Sequence, residues 1–366
     1  MSRGACRFSA VSSASGRNGR VTINDVAKRA GVSRSTTSRV LGGYGVASED
    51  ARESVLKAAQ DLGYHVNALA RAMITGKTYT LGVVLADIEN DYFARLARGA
   101  ADAAKLAGFE ILLANTDEDL QIERKAIQVL LDKQVDGIVI APASSGNAEH
   151  LAQAKKRGIP MVLVDRKIPS LKADTVGIDN RSAAKDAVKR LIEAGHRRIG
   201  MVTSAHFETP ESSKTAVNTG HDRVAGYRDA LMDAGIKPED VLLRRGSYSS
   251  EAARAQTRTM MSLTKPPTAI FASDNVMLLG VFRGIQDLGL RIPEDVSVVG
   301  LDDSDWTEIV TPRLSVIEQP VYEIGRLAVE RLVARINGDN SKAKDHVLQH
   351  TWVGRDSISR AAKRAK

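Results

Sequence analysis

Carboxylate, amide, aromatic and guanidinium side chains follow several short hydrophobic runs after residue 80, where each run ends. Such groups suit a polyhydroxylated ligand, because sugar hydroxyls both donate and accept hydrogen bonds and an aromatic ring can stack on the apolar face of a sugar. The alternative is that each Asp or Asn only caps the helix that follows it. Because the pattern recurs along the chain, we favour a ligand-binding cleft. The residues of this pattern are Asp87, Asn90, Tyr92, Phe93, Asn115, Asp117, Asp165, Arg166, Asp274, Asn275, Asp302 and Asp303.

A second chemistry, the reading of DNA, is indicated by the segment 22–41, TINDVAKRAGVSRSTTSRVL. Thr22 and Asp25 have the spacing of a capping box, Gly31 can form a left-handed turn, and Ser33 can cap a second helix. An exposed helix start rich in Arg, Ser and Thr is typical of a major-groove reader. The second-helix residues expected to face inward are Val32, Thr36, Val40 and Leu41. Those expected to face outward are Arg34, Ser35, Ser38 and Arg39.

No residue pattern indicates catalysis. The chain has no Gly-x-Gly-x-x-Gly after its first expected strand and no P-loop, and its seven histidines lack metal-ligand spacing. His196 precedes an expected strand and is interpreted as structural. Asp302, Asp303 and Glu308 could pair as acids, but no nucleophile accompanies them. We therefore expect no enzyme, no catalytic residue, no metal and no cofactor.

The charge distribution separates a basic module from a nearly neutral body. The chain has a net charge of +8, and residues 1–80 contain 12 Lys and Arg against 5 Asp and Glu. Such a concentration of positive charge is typical of a nucleic-acid-binding module. The only cysteine is Cys6, and no apolar run reaches the length of a membrane span. These features predict a cytoplasmic protein without membrane attachment, whose residues 1–20 are a disordered basic tail.

Three short helices are expected to position the DNA-reading residues. The third begins after Ser48, has a stripe of Ala and Val on one face, and ends at Gly63. The segment 67–74 that follows, NALARAMI, has the length of one or two helical turns and needs a partner or DNA to become ordered.

From Tyr79 onward, buried-strand runs alternate with amphipathic helices. This alternation predicts an α/β fold of doubly wound parallel sheets in two lobes, with ligands bound at the carboxyl ends of the strands. The expected strands cover residues 80–87, 110–115, 137–141, 161–165, 199–203, 269–272 and 297–301. The expected helices cover residues 93–106, 123–133, 149–157, 181–193, 224–234, 251–262 and 276–288.

From about residue 21 to 357 the chain resembles the LacI/GalR family of bacterial transcription regulators. The resemblance rests on the segment 22–41 and on further motifs in the family's order. These are NALARAM (67–73), GIVIAP (137–142), PMVLVDR (160–166), GHRRIG (195–200), RVAGY (223–227), IPEDVSVVGLDD (292–303) and EQP (318–320).

The resemblance implies an N-terminal three-helix helix-turn-helix head and a two-lobe, periplasmic-binding-protein-like effector domain. The implied segments are a basic tail (1–20), the DNA-binding head (21–66), a hinge helix and linker (67–78), an effector-binding and dimerisation domain (79–357) and a basic C-terminal tail (358–366). Crossovers between the lobes are expected near residues 180, 311 and 338. The C-terminal tail has no leucine heptads, so a coiled-coil tetramer is not expected.

The family further implies a homodimeric repressor that reads a pseudo-palindromic DNA operator. Its linker helices pair in the minor groove, where Met73 stands at the position of the residue that wedges into the central base step. Thr37 stands where Val is usual, a small loss of packing. The DNA-binding residues carried over are Thr22, Ser33, Arg34, Ser35, Thr36, Ser38, Arg39, Asn67, Ala70, Arg71 and Met73.

Sugar-binding relatives of the same two-lobe fold imply an effector cleft and a sugar or sugar acid as the effector. A purine- or nucleoside-responsive repressor is the alternative, and such a protein would carry Arg where Val217 stands. A soluble sugar-binding protein is a more distant alternative that the basic head disfavours. The effector-binding residues carried over are Asn90, Phe93, Asp165, Arg166, Arg223, Tyr248, Asp274, Asp302 and Gln319.

Overall fold

The computed structural model describes residues 21–64, 76–204 and 218–361. The chain divides into two compact units between Thr78 and Tyr79. None of the described helices is long and apolar enough to cross a membrane.

The first unit contains the helices α1 (Ile23–Ala30), α2 (Arg34–Gly42) and α3 (Glu49–Asp61). Asp25 Oδ2 accepts hydrogen bonds from the Thr22 backbone N–H at 2.8 Å and from the Thr22 hydroxyl at 2.7 Å, so the predicted partnership at the start of α1 is confirmed. Gly31 has a φ of 68°, which is the predicted left-handed turn. Val26 and Val55 are fully buried where the helices meet, which gives the head its own apolar core.

The second unit has two lobes, each built on one sheet. The first sheet has the strand order β11-β5-β4-β3-β1-β2, and all of its neighbouring strands are parallel. Its strands are β1 (Thr80–Leu85), β2 (Glu110–Asn115), β3 (Gly137–Ile140), β4 (Met161–Val164), β5 (Asp174–Ile178) and β11 (Asp345–Leu348). The helices of this lobe are α4 (Asp91–Leu106), α5 (Leu120–Asp132), α6 (Glu149–Lys156) and α12 (Val321–Ile336).

The second sheet has the order β12-β10-β9-β8-β6-β7, and its edge strand β12 is antiparallel to β10. Its strands are β6 (Ile199–Thr203), β7 (Leu243–Arg245), β8 (Ala269–Ala272), β9 (Ser297–Leu301), β10 (Ser315–Glu318) and β12 (Thr351–Val353). The helices of this lobe are α7 (Asn180–Glu193), α8 (Asn218–Asp233), α9 (Ser250–Met261), α10 (Asn275–Asp287) and the short α11 (Asp305–Ile309).

The chain passes between the two sheets three times, after Ile178, after Glu318 and after Leu348. The first crossing matches the expected position near residue 180. The second and third lie further along the chain than the expected positions near 311 and 338, because β10 still belongs to the second sheet and α12 precedes the return to β11.

The seven predicted strands are all present, and the predicted helices agree with the observed bounds except that α8 begins at Asn218 rather than near residue 224. The strands β5, β7, β10, β11 and β12 and the helices α11 and α12 are absent from the sequence-based assignment. The start of the expected C-terminal tail is bound to the second lobe, since the Ala361 N–H donates to the Ala194 carbonyl at 3.0 Å and Ile358 packs on the core.

Two helices of the first lobe, α4 and α12, approach each other through glycine. A Cβ atom on Gly99 would lie 2.0 Å from the Tyr322 carbonyl oxygen, and one on Gly325 would lie 2.1 Å from the Leu96 carbonyl oxygen. The two backbones are therefore closer than any side chain would permit.

Candidate functional site

The exposed start of α2 carries the residues expected to read DNA. Ser33 caps the helix, since its Oγ accepts a hydrogen bond from the Thr36 N–H at 3.1 Å. Arg34, Ser35 and Arg39 are exposed, and the Thr22 side chain at the start of α1 is exposed as well. The hydroxyls of Ser33, Ser35 and Thr36 form a short network, with Ser33 Oγ 3.1 Å from Ser35 Oγ and 2.9 Å from Thr36 Oγ1.

The inward face of α2 differs from the expected one by one position. We expected Thr36 to face inward, but Thr37 is the fully buried residue and Thr36 is half-buried. The reason is helical spacing: Thr37, Val40 and Leu41 are three and four residues apart and share the face that packs on α1 and α3. The Thr37 hydroxyl donates to the Ser33 carbonyl at 3.1 Å, so its burial leaves no unpaired hydroxyl.

Tyr44 is a head residue that the sequence analysis did not identify. Its hydroxyl lies 2.6 Å from the Ser38 Oγ, and its ring occupies the space where a Cβ atom on Gly42 would be. The glycines around it gave no sequence signal for this contact. The other expected DNA-binding residues, Asn67, Ala70, Arg71 and Met73, lie outside the described residues, as does Val217.

The second candidate site is the cleft between the two lobes of the second unit. Asn90, at the start of α4 in the first lobe, makes two hydrogen bonds to the second lobe, and Arg95 of the same helix pairs with Asp305 of α11 at 2.9 Å. Its Nδ2 donates to the Tyr248 hydroxyl at 2.5 Å, and its Oδ1 accepts from Asn275 Nδ2 at 2.7 Å. Tyr248 and Asn275 both belong to the second lobe, so these hydrogen bonds cross the cleft.

On the first-lobe side, Arg166 is buried within a shell of acceptors. Its Nη1 donates to the Pro142 carbonyl at 3.0 Å, its Nε to Asp165 Oδ2 at 3.3 Å, and its Nη2 to Glu118. The guanidinium carbon also lies 6.0 Å from the centre of the Phe93 ring. Burial lowers the pKa of Arg166, but the carboxylates of Glu118 and Asp165 raise it above its usual range, so the group stays charged.

On the second-lobe side, Arg223 holds a similar position beside two carboxylates. Its Nε donates to Asn180 Oδ1 at 2.8 Å and its Nη1 to the Ser273 carbonyl at 2.9 Å. Asp274 caps α10 by accepting the Met277 N–H at 2.9 Å. Asp302 Oδ1 accepts from Gln319 Nε2 at 2.6 Å.

Two cleft aspartates occupy the left-handed region of backbone conformation, one in each lobe. Asp165, directly after β4, has a φ of 63°, and Asp302, directly after β9, has a φ of 77°. Residues other than glycine take this conformation at a cost of roughly 1–3 kcal/mol, and it occurs in this chain also at Tyr79, Asp117, Glu118 and Gln134. The equivalent placement of the two carboxylates therefore supports a ligand site between them.

Burial dominates the titration of the cleft. It raises the pKa of Asp302 to about 6, because the favourable effects of Arg223 and Gln319 are smaller than the loss of water and the repulsion by Asp274 and Asp165. Burial likewise raises the pKa of Asp274 and holds the pKa of Tyr92 and Tyr248 well above the usual tyrosine range. Both tyrosine hydroxyls thus remain protonated donors at neutral pH.

Two buried amide oxygens at the cleft, the Asn275 Oδ1 and the Gln319 Oε1, have no hydrogen-bond partner among the described residues. Both are pure acceptors, and leaving a buried acceptor unpaired costs about 1–3 kcal/mol. A ligand that supplies donors would satisfy them.

The structure brings all nine expected effector residues to the two walls of this cleft. Three further residues lie in the cleft that were not among the nine expected ones, namely Tyr92, Asn275 and Glu118. The Tyr92 hydroxyl donates to Asp165 Oδ1 at 3.3 Å. Tyr92 and Asn275 belong to the strand-end pattern, and Glu118 follows β2 closely, so position at a strand end is the signal for all three.

The remaining strand-end residues make structural hydrogen bonds instead. Asp87 accepts the Glu89 N–H at 2.9 Å, and Asn115 Nδ2 donates to Asp117 at 2.5 Å. Asp303 is bound by Arg355, whose Nη2 lies 2.7 Å from Oδ2. None of these residues caps a helix, whereas Asn90 and Asp274 cap α4 and α10 and also line the cleft, so capping and a place in the cleft are not exclusive.

His196 has the structural role expected of it. It is 3% exposed, with Nδ1 2.9 Å from Thr268 Oγ1 and Nε2 3.0 Å from Ser297 Oγ. Burial lowers its pKa, so the neutral ring holds together β8, β9 and the segment after β12. Among the described residues, no group of three or more His, Cys, Asp or Glu side chains could hold a metal ion.

Two family models match the chain. Residues 22–67 match the bacterial regulatory proteins of the lacI family, and residues 188–358 match a periplasmic binding protein-like domain. The chain is 35% identical to catabolite control protein A of Priestia megaterium, over 92% of this chain and 99% of that protein. It is 34% identical to the HTH-type transcriptional repressor CytR of Escherichia coli strain K12, over 92% and 96% of the two chains.

One solved structure is similar to this chain in both fold and sequence. The cellobiose complex of the transcriptional regulator CelR superimposes with a TM-score of 0.69 at 30% identity. The match covers 92% of this chain and all of that one, so it includes both compact units.

Proposed function

The chain belongs to the LacI family of bacterial regulatory proteins, and from this premise we propose that it is a homodimeric repressor whose operator affinity is set by an uncharged sugar in the cleft. Like its relatives, it is a DNA-binding transcriptional regulator. It is not an enzyme. The observation that carries the proposal is the cluster of buried, partly unpaired acceptors between the lobes, bridged across the cleft by Asn90.

The charges of the cleft favour an uncharged sugar over a sugar acid. Arg166 uses all three guanidinium nitrogens on protein acceptors, and Arg223 uses two of its three. The carboxylates of Asp165, Asp274 and Asp302 lie near one another. Asp165 and Asp274 both raise the pKa of Asp302, and Asp165 and Asp302 both raise the pKa of Tyr92. A ligand carboxylate would face this negative charge, whereas sugar hydroxyls donate to it.

Sugar binding is also consistent with a relative. CelR was solved as a cellobiose complex, and the cleft of this chain has the acceptors and aromatic side chains that a saccharide needs. A free purine is disfavoured by the same surplus of carboxylates, which matches the many hydroxyl donors of a sugar better than the ring acceptors of a base. A nucleoside also carries ribose hydroxyls, so the calorimetry below decides between it and a sugar.

We propose that effector binding acts on the cross-cleft hydrogen bonds of Asn90. A ligand that takes over Asn275 or Tyr248 changes the closure of the lobes, and closure in turn sets the spacing of the two hinge segments in the dimer. Coupling energies between two such sites are roughly 1–3 kcal/mol, and DNA must alter effector affinity by the same factor.

For DNA, we propose a division of roles among segments. Residues 21–66 form the reading head, residues 67–78 the hinge and linker, and residues 79–357 the effector-binding and dimerisation domain. Arg34 and Ser35 select bases, Arg39 contacts a base or a phosphate, and Met73 is the minor-groove wedge. Thr22, Ser33, Thr36 and Ser38 support the contact, together with Asn67, Ala70 and Arg71 of the hinge.

We propose a second copy of the chain as the partner, and the first lobe has a surface that suits it. Four apolar side chains at one edge of this lobe are between 39% and 54% exposed. They are Leu112 and Leu113 of the edge strand β2 and Ile122 and Val129 of α5. An exposed apolar edge of this kind favours association.

Analytical ultracentrifugation should show a dimer, and Leu113→Lys should shift the monomer–dimer equilibrium towards monomer.

Calorimetry on the full chain tests the effector. Pentoses, hexoses, cellobiose, the matching sugar acids and purine nucleosides are titrated in turn. At least one uncharged sugar should bind about tenfold or more tightly than its acid counterpart, a difference of about 1.4 kcal/mol. Asn275→Ala should weaken that binding, whereas Gln286→Ala, at the exposed far end of the same helix α10, should not. A sugar acid binding more tightly than the neutral sugar would contradict the charge argument.

A band-shift titration tests the repressor. Full-length protein should prefer a palindromic site over scrambled DNA at moderate salt, and the sugar found by calorimetry should change that affinity. Arg34→Ala should relax base preference at one operator position, with the exposed Arg52→Ala as the control. An equal loss on all DNA sequences would make Arg34 a phosphate contact instead.

A further inference from the structure

A second pocket lies on the first lobe, at the opposite edge of the sheet from the cleft. It has a volume of about 390 Å³ and is lined by the starts of β4 and β5, the ends of α6 and α12, and the loop that follows α12. Because the strands are parallel, Met161 at the start of β4 is on this edge and Asp165 just after β4 is at the cleft edge.

The two acidic residues of this pocket are already engaged by arginines. The Asp174 side chain is fully buried and accepts from Arg335 Nε at 2.7 Å and Nη2 at 3.0 Å. Asp339 Oδ2 accepts from Arg331 Nη2 at 2.7 Å. These pairs fix the walls of the pocket and leave little negative charge to neutralise further cations.

The two lysines of the pocket, Lys155 and Lys172, are in a different position. Within the residues that the structure describes, neither makes an ion pair with a carboxylate within 4.0 Å. The pKa of Lys155 is lowered by partial burial and by repulsion from Lys172 and Arg335, which together outweigh the opposite effect of Asp174. Two neighbouring ammonium groups that repel each other form a site where an anion would be stabilised.

We propose that this pocket binds a small phosphomonoester, with the phosphate between Lys155 and Lys172 and the organic part against the apolar wall of Ile159, Pro160 and Met161. The volume is within the usual range of small-molecule pockets, about 300–1,000 Å³, so the site has room for more than a phosphate ion. Asn340 in the loop after α12 lines the same pocket and adds an amide donor. The site is independent of the sugar cleft.

Calorimetry with glycerol 3-phosphate, glycerol and inorganic phosphate, each titrated into the full chain, tests the proposal. Glycerol 3-phosphate should bind at one site per chain, inorganic phosphate should bind about tenfold or more weakly, and glycerol should give no heat. Lys155→Gln and Lys172→Gln should each weaken glycerol 3-phosphate binding about tenfold or more. Lys156→Gln is the matched control, since Lys156 is the next residue on α6, is exposed as Lys155 and Lys172 are, and does not line the pocket.

Three results would overturn the proposal. They are no heat with glycerol 3-phosphate at millimolar concentration, equal affinity for inorganic phosphate, or an equal loss in all three lysine variants. Thermal unfolding of each variant confirms that a lost site is not a lost fold, and a variant that unfolds early is replaced by the Lys→Arg change at the same position, which should retain binding.

Discussion

The titration of Asp302 makes effector affinity depend on pH in a calculable way. Its carboxylate is buried in the cleft with a pKa of about 6, and Gln319 donates to only one of its oxygens. If the ionised Asp302 carboxylate accepts a hydrogen bond from a sugar hydroxyl, the sugar binds only the ionised form. Protonation of Asp302 in the free protein therefore weakens sugar binding. Affinity should therefore be constant above about pH 7 and fall on the acid side.

The size of the effect follows from the pKa. One pH unit below the pKa, at pH 5, about one molecule in eleven has an ionised Asp302, so the dissociation constant should rise roughly tenfold, or about 1.4 kcal/mol. Asp274, whose pKa burial also raises, adds to the slope at lower pH. The two aspartates are distinguished by substituting each one separately.

The assay is calorimetry of the tightest-binding sugar between pH 5 and pH 8, without DNA. Asp302→Asn keeps the shape and the acceptor for Gln319 but cannot titrate, so its affinity should be lower at pH 8 and nearly flat with pH. Asp240→Asn is the control, because the Asp240 side chain is 91% exposed and lies in the same lobe, where it pairs with Arg228. A flat profile for the unsubstituted protein, or an unchanged slope in Asp302→Asn, would refute the assignment of Asp302 to the ligand.

Four further outcomes are expected. The folded-state pKa of Asp302 is raised from 3.8 to about 6, so its ionisation begins to cost stability above pH 3.8 and costs at most about 3 kcal/mol above pH 6. Asp302→Asn should therefore raise the Tm of the free protein at pH 8 but not below pH 3.8. Arg34→Ala should cost about 1–3 kcal/mol in band shifts at one operator base pair. Thr37→Val should change the stability of the head by less than about 1 kcal/mol in thermal unfolding, because one satisfied hydroxyl is exchanged for a buried methyl group. Gly325→Ala should lower the Tm, at a cost of about 1–3 kcal/mol or more, because its Cβ would lie 2.1 Å from the Leu96 carbonyl oxygen; an unchanged Tm would mean that α4 and α12 can separate freely.

The head and the strands in the middle of the sheets were predictable because local signals agree there with the tertiary structure. Runs such as 297–301 are fully buried and bounded by polar residues, and the caps at Thr22, Ser33 and Ser48 are formed by the residue types that favour them. The inward face of α2 was wrong by one residue, because Thr36 and Thr37 are chemically identical and only packing distinguishes them.

The edge strands were not predictable by the same means. The strands β7, β11 and β12 have three or four residues each, and their side chains are mostly half-buried or exposed, so they lack the buried run that marks a central strand. They form because a neighbouring strand offers a free edge. The helix α12 is a different case, because its apolar residues do recur at helical spacing. The local sequence does not indicate that this helix packs on the first lobe, which follows only from the crossing after β10.

That crossing also bears on how a cleft ligand reaches the rest of the protein. Of the three segments that join the lobes, one contains Gln319, which donates to Asp302, and another leads into Asn180, which accepts from Arg223. Two connections therefore carry a side chain of the cleft. The Gln319 Oε1 has no hydrogen-bond partner in the part of the chain that the structure describes, so an effector that donates to it would act on a connection directly. Under the proposed function, contact with the ligand and rotation of one lobe against the other are then a single event, because the same few residues must move for both. Gln319→Ala should accordingly weaken the coupling between sugar and operator by more than it weakens sugar binding itself, whereas a residue that only contacts the ligand should affect binding and leave the coupling intact.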